Sequence, residues 1–164
     1  MNTLLILRHA KSSWADSSLG DHDRPLNRRG ERDAPRMARV VVERGWVPEI
    51  ILSSSALRAR ATAQAVVEAS DWSPDLQFSR RLYLATPGQM LDELAHLPSF
   101  VTRAMLVGHN PGLEDLATEL CGIELRLPTA ALLVLQVPPP WDALVGGVAQ
   151  ILQNLTPKQL EPPS

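Results

Sequence analysis

The sequence predicts one α/β domain in three layers, with a mostly parallel central sheet, helices on both faces and an antiparallel edge near the C-terminus. Three observations carry that reading. Short apolar runs alternate with segments of helical period through the first 120 residues. A chain of 164 residues has room for one core of this kind and not for two substantial lobes. Beyond residue 130 the alternation gives way to two strand-like runs joined through proline and glycine, which suits an antiparallel pair at a sheet edge. The domain is expected to cover residues 1–156, with 157–164 as a tail.

The elements follow in order. Residues 3–7 form an apolar strand that ends in Arg8-His9, and residues 12–25 form a polar loop holding Asp16, Asp21 and Asp23. Asn27 is a good N-cap for a helix running through Met37 and Val42 to a stop at Gly45, with Pro35 either kinking it or moving its start. Residues 48–53 read as a buried strand, 56–69 as an alanine-rich helix, and 76–78 as a short strand. Thr86-Pro87 opens a helix whose apolar positions are Met90, Leu91, Leu94 and Leu97. A strand over 104–107 leads to a second Asn-Pro helix start at Asn110-Pro111, ending near Gly122. The last two strands, 131–137 and 148–155, flank Pro138-Pro139-Pro140-Trp141 and Gly146-Gly147.

Composition removes several function classes. With 16 Lys+Arg against 18 Asp+Glu, a nonspecific nucleic-acid or membrane-surface role has no electrostatic support. The opening apolar run is cut off by Arg8 and Lys11 and nothing later reaches a spanning length, so a cytoplasmic protein is expected. A single cysteine, Cys121, rules out an internal disulfide and a thiolate-rich metal site; its place in a last helical turn suits packing. The proline-rich stretches, Glu161-Pro162-Pro163-Ser164 among them, read as loop and tail.

Three strand ends supply the chemistry: Arg8 and His9 after the first, Arg58 just beyond Ser53-Ser54-Ser55 after the second, and His109 after the strand at 104–107. Ligands in an open α/β sheet bind at carboxyl strand ends. Two guanidinium forks and two imidazoles brought together there would hold a tetrahedral dianion such as phosphate. A metal site is the competing reading. It lacks ligand spacing, since there is no His-x-His and no His-Glu-x-x-His, and only Glu114 and Asp115 lie near either histidine. No metal and no cofactor is therefore expected. Either histidine alone would be read as a satisfied core residue, but the repeated arrangement argues against that.

Arg8-His9-Ala10, the run from Ser53 through Arg58 to Thr62, and Val107-Gly108-His109-Asn110-Pro111 resemble the histidine phosphatase superfamily, with its phosphoglycerate-mutase-like fold. The short length, the Asp23-Arg24-Pro25-Leu26-Asn27-x-x-Gly30 segment and Gly108-His109-Asn110-Pro111-Gly112 are most similar to its small phosphohistidine phosphatases of the SixA type. The similarity covers roughly residues 1–137 by motif placement. It implies that His9 is a transiently phosphorylated nucleophile, that Arg8 and Arg58 clamp phosphate, and that His109 contacts the transferring group. The implied partner is a phosphorylated protein, as phosphohistidine, or a small phosphorylated substrate.

Two departures from the superfamily pattern matter. Ala10 stands where glycine is usual, and its methyl group could narrow the approach of backbone to phosphate. More informative, the superfamily's ester-cleaving members place a glutamate or aspartate as general acid after the third strand, and nothing between Asp75 and Asp92 is acidic here. An alkoxide needs a proton to leave, whereas an imidazole, with a conjugate-acid pKa of about 6.5, departs with far less help. The expectation is thus a metal-independent phosphohistidine phosphatase. The alternatives are a phosphatase of small monoesters that borrows Asp16, Asp21 or Asp23 as acid, and a non-catalytic module that binds phosphorylated ligands.

Overall fold

A computed structural model describes residues 1–160. Its strands are β1 (Asn2–Arg8), β2 (Ile50–Ser54), β3 (Asp75–Ser79), β4 (Arg103–Gly108), β5 (Leu132–Val137) and β6 (Gln150–Leu155). They form one sheet in the order β3-β2-β4-β1-β5-β6. The pairs β3-β2, β2-β4 and β4-β1 are parallel, whereas β5 runs antiparallel to β1 and β6 antiparallel to β5. This is the α/β sandwich with an antiparallel C-terminal edge that the alternation of elements predicts.

Both faces of the central strands are apolar because both are covered. Along β1 the two-residue period sends Leu4 and Ile6 to one face and Leu5 and Leu7 to the other. The first face packs on α3 (Pro87–Ala95) and α4 (Gly112–Cys121), through Met90, Leu94, Leu113 and Leu116. The second packs on α1 (Arg28–Glu43) and α2 (Leu57–Ala69), through Met37, Val41, Ala63 and Val66. All four β1 residues are essentially sealed from water, and burying each leucine or isoleucine is worth roughly 2 kcal/mol. The strand carrying His9 is therefore firmly anchored in the core.

One expected helix start holds and another shifts. Pro35 does not shift α1, which begins at Arg28 with the Asn27 side chain accepting from the Gly30 N–H at 2.9 Å. Helix α4 begins at Gly112, one residue later than an Asn110 cap with Pro111 first suggests; Asn110 still serves its first turn, Oδ1 accepting from the Glu114 N–H at 3.3 Å while Nδ2 donates to Glu114 and to the Leu127 carbonyl. At the far end, Pro157–Leu160 make a short 3-10 turn, with Pro157 buried and Leu160 against the α1/α2 side of the core. The Glu161-Pro162-Pro163-Ser164 stretch read as tail lies outside the described residues. Among the described residues no helix is long and apolar enough to cross a membrane.

Two glycines bring loops onto the helices beside the site. A Cβ on Gly30 would stand 2.1 Å from the Lys11 carbonyl oxygen, so the loop after β1 can lie against α1 only because that position has no side chain. A Cβ on Gly112 would stand 2.0 Å from the Ala85 carbonyl oxygen, which lets the loop before α3 close on the start of α4. Both loops end beside the carboxyl ends of β1, β4 and β2, three adjacent strands.

Candidate active site

His9 is fixed through its backbone before its side chain does anything. Its N–H donates to the Gly108 carbonyl at 3.1 Å and its carbonyl accepts from Ala130 N–H at 3.0 Å, tying it to β4 on one side and to the turn before β5 on the other. The ring Nδ1 lies 2.7 Å from the Ala10 carbonyl oxygen. A carbonyl can only accept, so Nδ1 carries the proton and Nε2 carries the lone pair.

His109 follows β4, and its ring centre is 5.0 Å from that of His9. Its Nε2 is 2.7 Å from Oγ of Ser54, the last residue of β2, while its buried Nδ1 has no protein partner. Burial, with the positive charges of Arg58, Arg8 and Arg24 added, lowers the His9 pKa to about 4. Burial, then the proximity of His9 and Arg58, lowers His109 to about 3. Both rings are neutral at physiological pH, the state in which an imidazole keeps one nitrogen lone pair free.

The two arginines come from different elements. Arg8 ends β1; its Nη1 donates to the Leu127 carbonyl at 3.0 Å and its buried Nε has no partner. Arg58 lies in the first turn of α2, only 3% exposed. It donates from Nη1 to the Asp21 carbonyl at 2.6 Å and from Nη2 to Asp21 Oδ2 at 2.9 Å, again leaving Nε unpartnered. A buried guanidinium has five N–H groups to satisfy, so each arginine retains donors for an anion.

Asp21 joins several of these groups. Besides Arg58, its carboxylate accepts from Arg24, whose Nε is 3.2 Å from Oδ1, and from the Tyr83 hydroxyl. The Tyr83 hydroxyl first, and then Arg58 and Arg24, hold the Asp21 carboxyl well below the usual carboxylate range. Arg24 is itself buried; Nη1 donates to Ser12 Oγ at 2.8 Å and the guanidinium stacks 3.5 Å from the Trp14 ring centre. Tyr83 stands edge-on to His22 and to His109, with ring centres 4.9 and 5.5 Å away.

These groups bound a cleft of about 230 Å³. Its walls carry Arg8, Lys11, Arg24 and Arg58 with His9 and His109, and none of its lining residues is a carboxylate. All four residues singled out in the sequence, Arg8, His9, Arg58 and His109, meet there. Of the loop acids, Asp16 accepts from Ser18, Asp23 faces His22, and neither lines the cleft. Ala10 does not narrow the cleft: its methyl group is wholly buried in the α1/α2 side of the core, and its N–H donates to Thr62 Oγ1. Among the described residues no three His, Cys, Asp or Glu side chains group as metal ligands.

Arg24, Tyr83, Ser54 and Asn110 complete the site but carry no role in the sequence reading. Arg24 and Asn110 sit inside motifs that carry the resemblance, and the run Ser53-Ser54-Ser55 that closes β2 is a usable sign. Tyr83 gave only one, as the single tyrosine of the chain.

Comparison with known proteins agrees with this geometry. The model of the histidine phosphatase superfamily, branch 1, matches residues 4–83. A SixA protein of Agrobacterium tumefaciens superposes with a TM-score of 0.83 at 31% identity, over 94% of this chain and 97% of that one. The chain belongs to the histidine phosphatase superfamily. Within the superfamily it is SixA-like. The protein histidine phosphatase SixA in complex with tungstate shares the fold, with a TM-score of 0.83 at 21% identity over 97% of this chain and 99% of that one. An uncharacterized chloroplastic protein of Arabidopsis thaliana is 38% identical over 142 residues, 81% of this chain and 65% of that relative's length. The superfamily match ends at Tyr83, so His109 enters the site through the fold rather than through the matched segment.

Proposed function

We propose that this superfamily phosphatase cleaves phosphorus–nitrogen bonds, with protein phosphohistidine as its substrate. The observation that carries the reading is a cationic cleft without a carboxylate on its walls: it has a nucleophile and anion clamps, and no proton donor for an alkoxide. Asp21, the carboxylate nearest the clamp residues, is ionised and bound by two arginines, which is the wrong state for an acid.

The roles follow from the atoms. Neutral His9 attacks phosphorus through Nε2; the new N–P bond forms as the bond to the substrate imidazole breaks. A proton taken from solvent on its distal nitrogen lets that imidazole depart as a neutral ring. Arg8 and Arg58 hold the equatorial oxygens with their unpaired donors. When the Ser54 hydroxyl donates to His109 Nε2, the His109 proton sits on Nδ1, and that N–H can donate a hydrogen bond to a phosphoryl oxygen without giving the proton up. Water then attacks phospho-His9, the N–P bond breaks, and phosphate leaves with His9 restored.

The test is the relative turnover of a phosphohistidine peptide and a phosphoserine peptide by the purified chain. Preference for phosphohistidine by about a hundredfold or more is expected from the lack of general-acid help, itself typically worth 10² or more. Equal turnover would refute the substrate assignment.

A further inference from the structure

Two large apolar side chains line the same cleft and yet stand largely in solvent. Trp14 is 73% exposed and Leu84 is 56% exposed, while the polar side chains at the floor, His9, His109 and Arg58, are each 7% exposed or less. Trp14 lies over Arg24, with the rest of its indole open to water.

Leu84 is the less ordinary of the two. Its φ is +50°, a left-handed conformation that a branched side chain disfavours and that glycine or asparagine would adopt readily. The neighbouring residues hold it there: Leu82 and Ala85 are buried on either side, the Ala85 carbonyl packs on Gly112, and the Thr86 capping box fixes the start of α3. A position that keeps a strained leucine whose side chain is in water, at the edge of an anion site, gains nothing for the core. Strain of this kind is kept where the side chain has work to do with a ligand.

Resting on the proposed substrate, we propose that Leu84 and Trp14 form the leaving-group subsite, an apolar lip that grips the flat ring of the departing imidazole while the phosphoryl group sits on the arginines. The cationic floor fixes where phosphorus must lie, so whatever phosphorus is bonded to must project past this lip. A flat ring gains contact there, whereas the hydroxyl or carboxylate of a small metabolite finds no charge on Leu84 or Trp14 and no polar atom beyond the single indole N–H. The lip thus selects planar heterocyclic leaving groups over short polar ones.

The experiment compares kcat/KM on a phosphohistidine peptide with kcat/KM on phosphoramidate, whose leaving nitrogen is too small to reach the lip. The variants are Leu84→Gly, Leu84→Asn and Trp14→Ala. In each, the phosphohistidine-to-phosphoramidate ratio should fall by about five- to fiftyfold, the range in which one apolar contact discriminates between ligands. Leu84→Gly and Leu84→Asn, relieved of the strained φ, should melt at or above the wild-type temperature, which separates loss of a contact from loss of fold. An unchanged ratio, or a fall accompanied by a lower melting temperature in both Leu84 variants, overturns the subsite. Wild type that cleaves phosphoramidate but not phosphohistidine would overturn the substrate assignment instead. The lip is then judged by the ratio of phenyl phosphate to ethyl phosphate, which must drop in Leu84→Gly for the subsite to stand.

Discussion

Changing Asp21 to asparagine separates two accounts of the loop carboxylate. In the structure Asp21 accepts from Arg58 Nη2 at 2.9 Å, from Arg24 Nε at 3.2 Å and from Tyr83. If its work is to hold Arg58 in place, the substitution keeps one acceptor oxygen and loses the charge. A charge-assisted hydrogen bond is worth about 1.5–3 kcal/mol; the Asp21 side chain is 42% exposed, so water screens it and the lower end applies to the Arg58 contact. Adding up to about 1 kcal/mol for the Arg24 pair gives roughly 1.5–2.5 kcal/mol, a ten- to seventyfold fall in kcat/KM. The fall should be the same for phosphohistidine and for phosphoserine peptides, because the clamp meets the phosphoryl group and not the leaving group. If Asp21 were the general acid, phosphoserine turnover would drop by about 10²–10⁴ while phosphohistidine turnover held. Steady-state kinetics on both peptides decide it, and the second pattern would refute the positioning role and the missing-acid reasoning together.

Three further outcomes are expected. His9→Ala should lose turnover with its melting temperature little changed, and phosphate trapped on wild type should sit on His9 in a linkage stable to base and labile to acid; label on another residue refutes the nucleophile. Arg58→Ala and Arg8→Ala should each reduce kcat/KM by about ten- to a hundredfold, the value of one charge-assisted contact, with vanadate inhibition weakened in parallel; retained vanadate affinity argues against a clamp. Proton NMR should find that His9 titrates near 4 and His109 near 3. Between about pH 6.5 and those values the unfolded chain binds protons the folded chain refuses, so stability falls as pH falls, by up to about 1.4 kcal/mol per pH unit per histidine. Titration of either ring near 6.5 would contradict its buried, neutral state.

The four groups at strand ends were legible because a strand is a local object: once the apolar run at residues 3–7 is read as β1, Arg8 and His9 must emerge at its carboxyl end, and the same holds for His109 after β4. Arg58 was legible through the motif after β2. The Tyr83–Asp21–Arg58 association was not, since it joins residues 62 and 37 positions apart through loop packing that no period encodes. Ala10 was misjudged for a related reason: one residue past the strand, whether a methyl group faces the cleft or the core depends on how the chain turns. The cap at Asn110 was legible, but its second bond was not: while Oδ1 accepts from the Glu114 N–H, Nδ2 reaches a carbonyl 17 residues away.

The peptide unit of His9 is hydrogen-bonded to Gly108 on one side and Ala130 on the other, while the residues around the cleft rim belong to loops. Displacing His9 means breaking its bonds to β4 and to the turn before β5, so its amide should exchange with deuterium only through global unfolding, whereas the turn at Asp21–Asp23 can open alone. Drift in this lineage is constrained in the same way. The nitrogen proposed to react cannot be relocated by small mutational steps, but the segments bearing Trp14, Asp21 and Leu84 can be rewritten, and a change of substrate would be written there first.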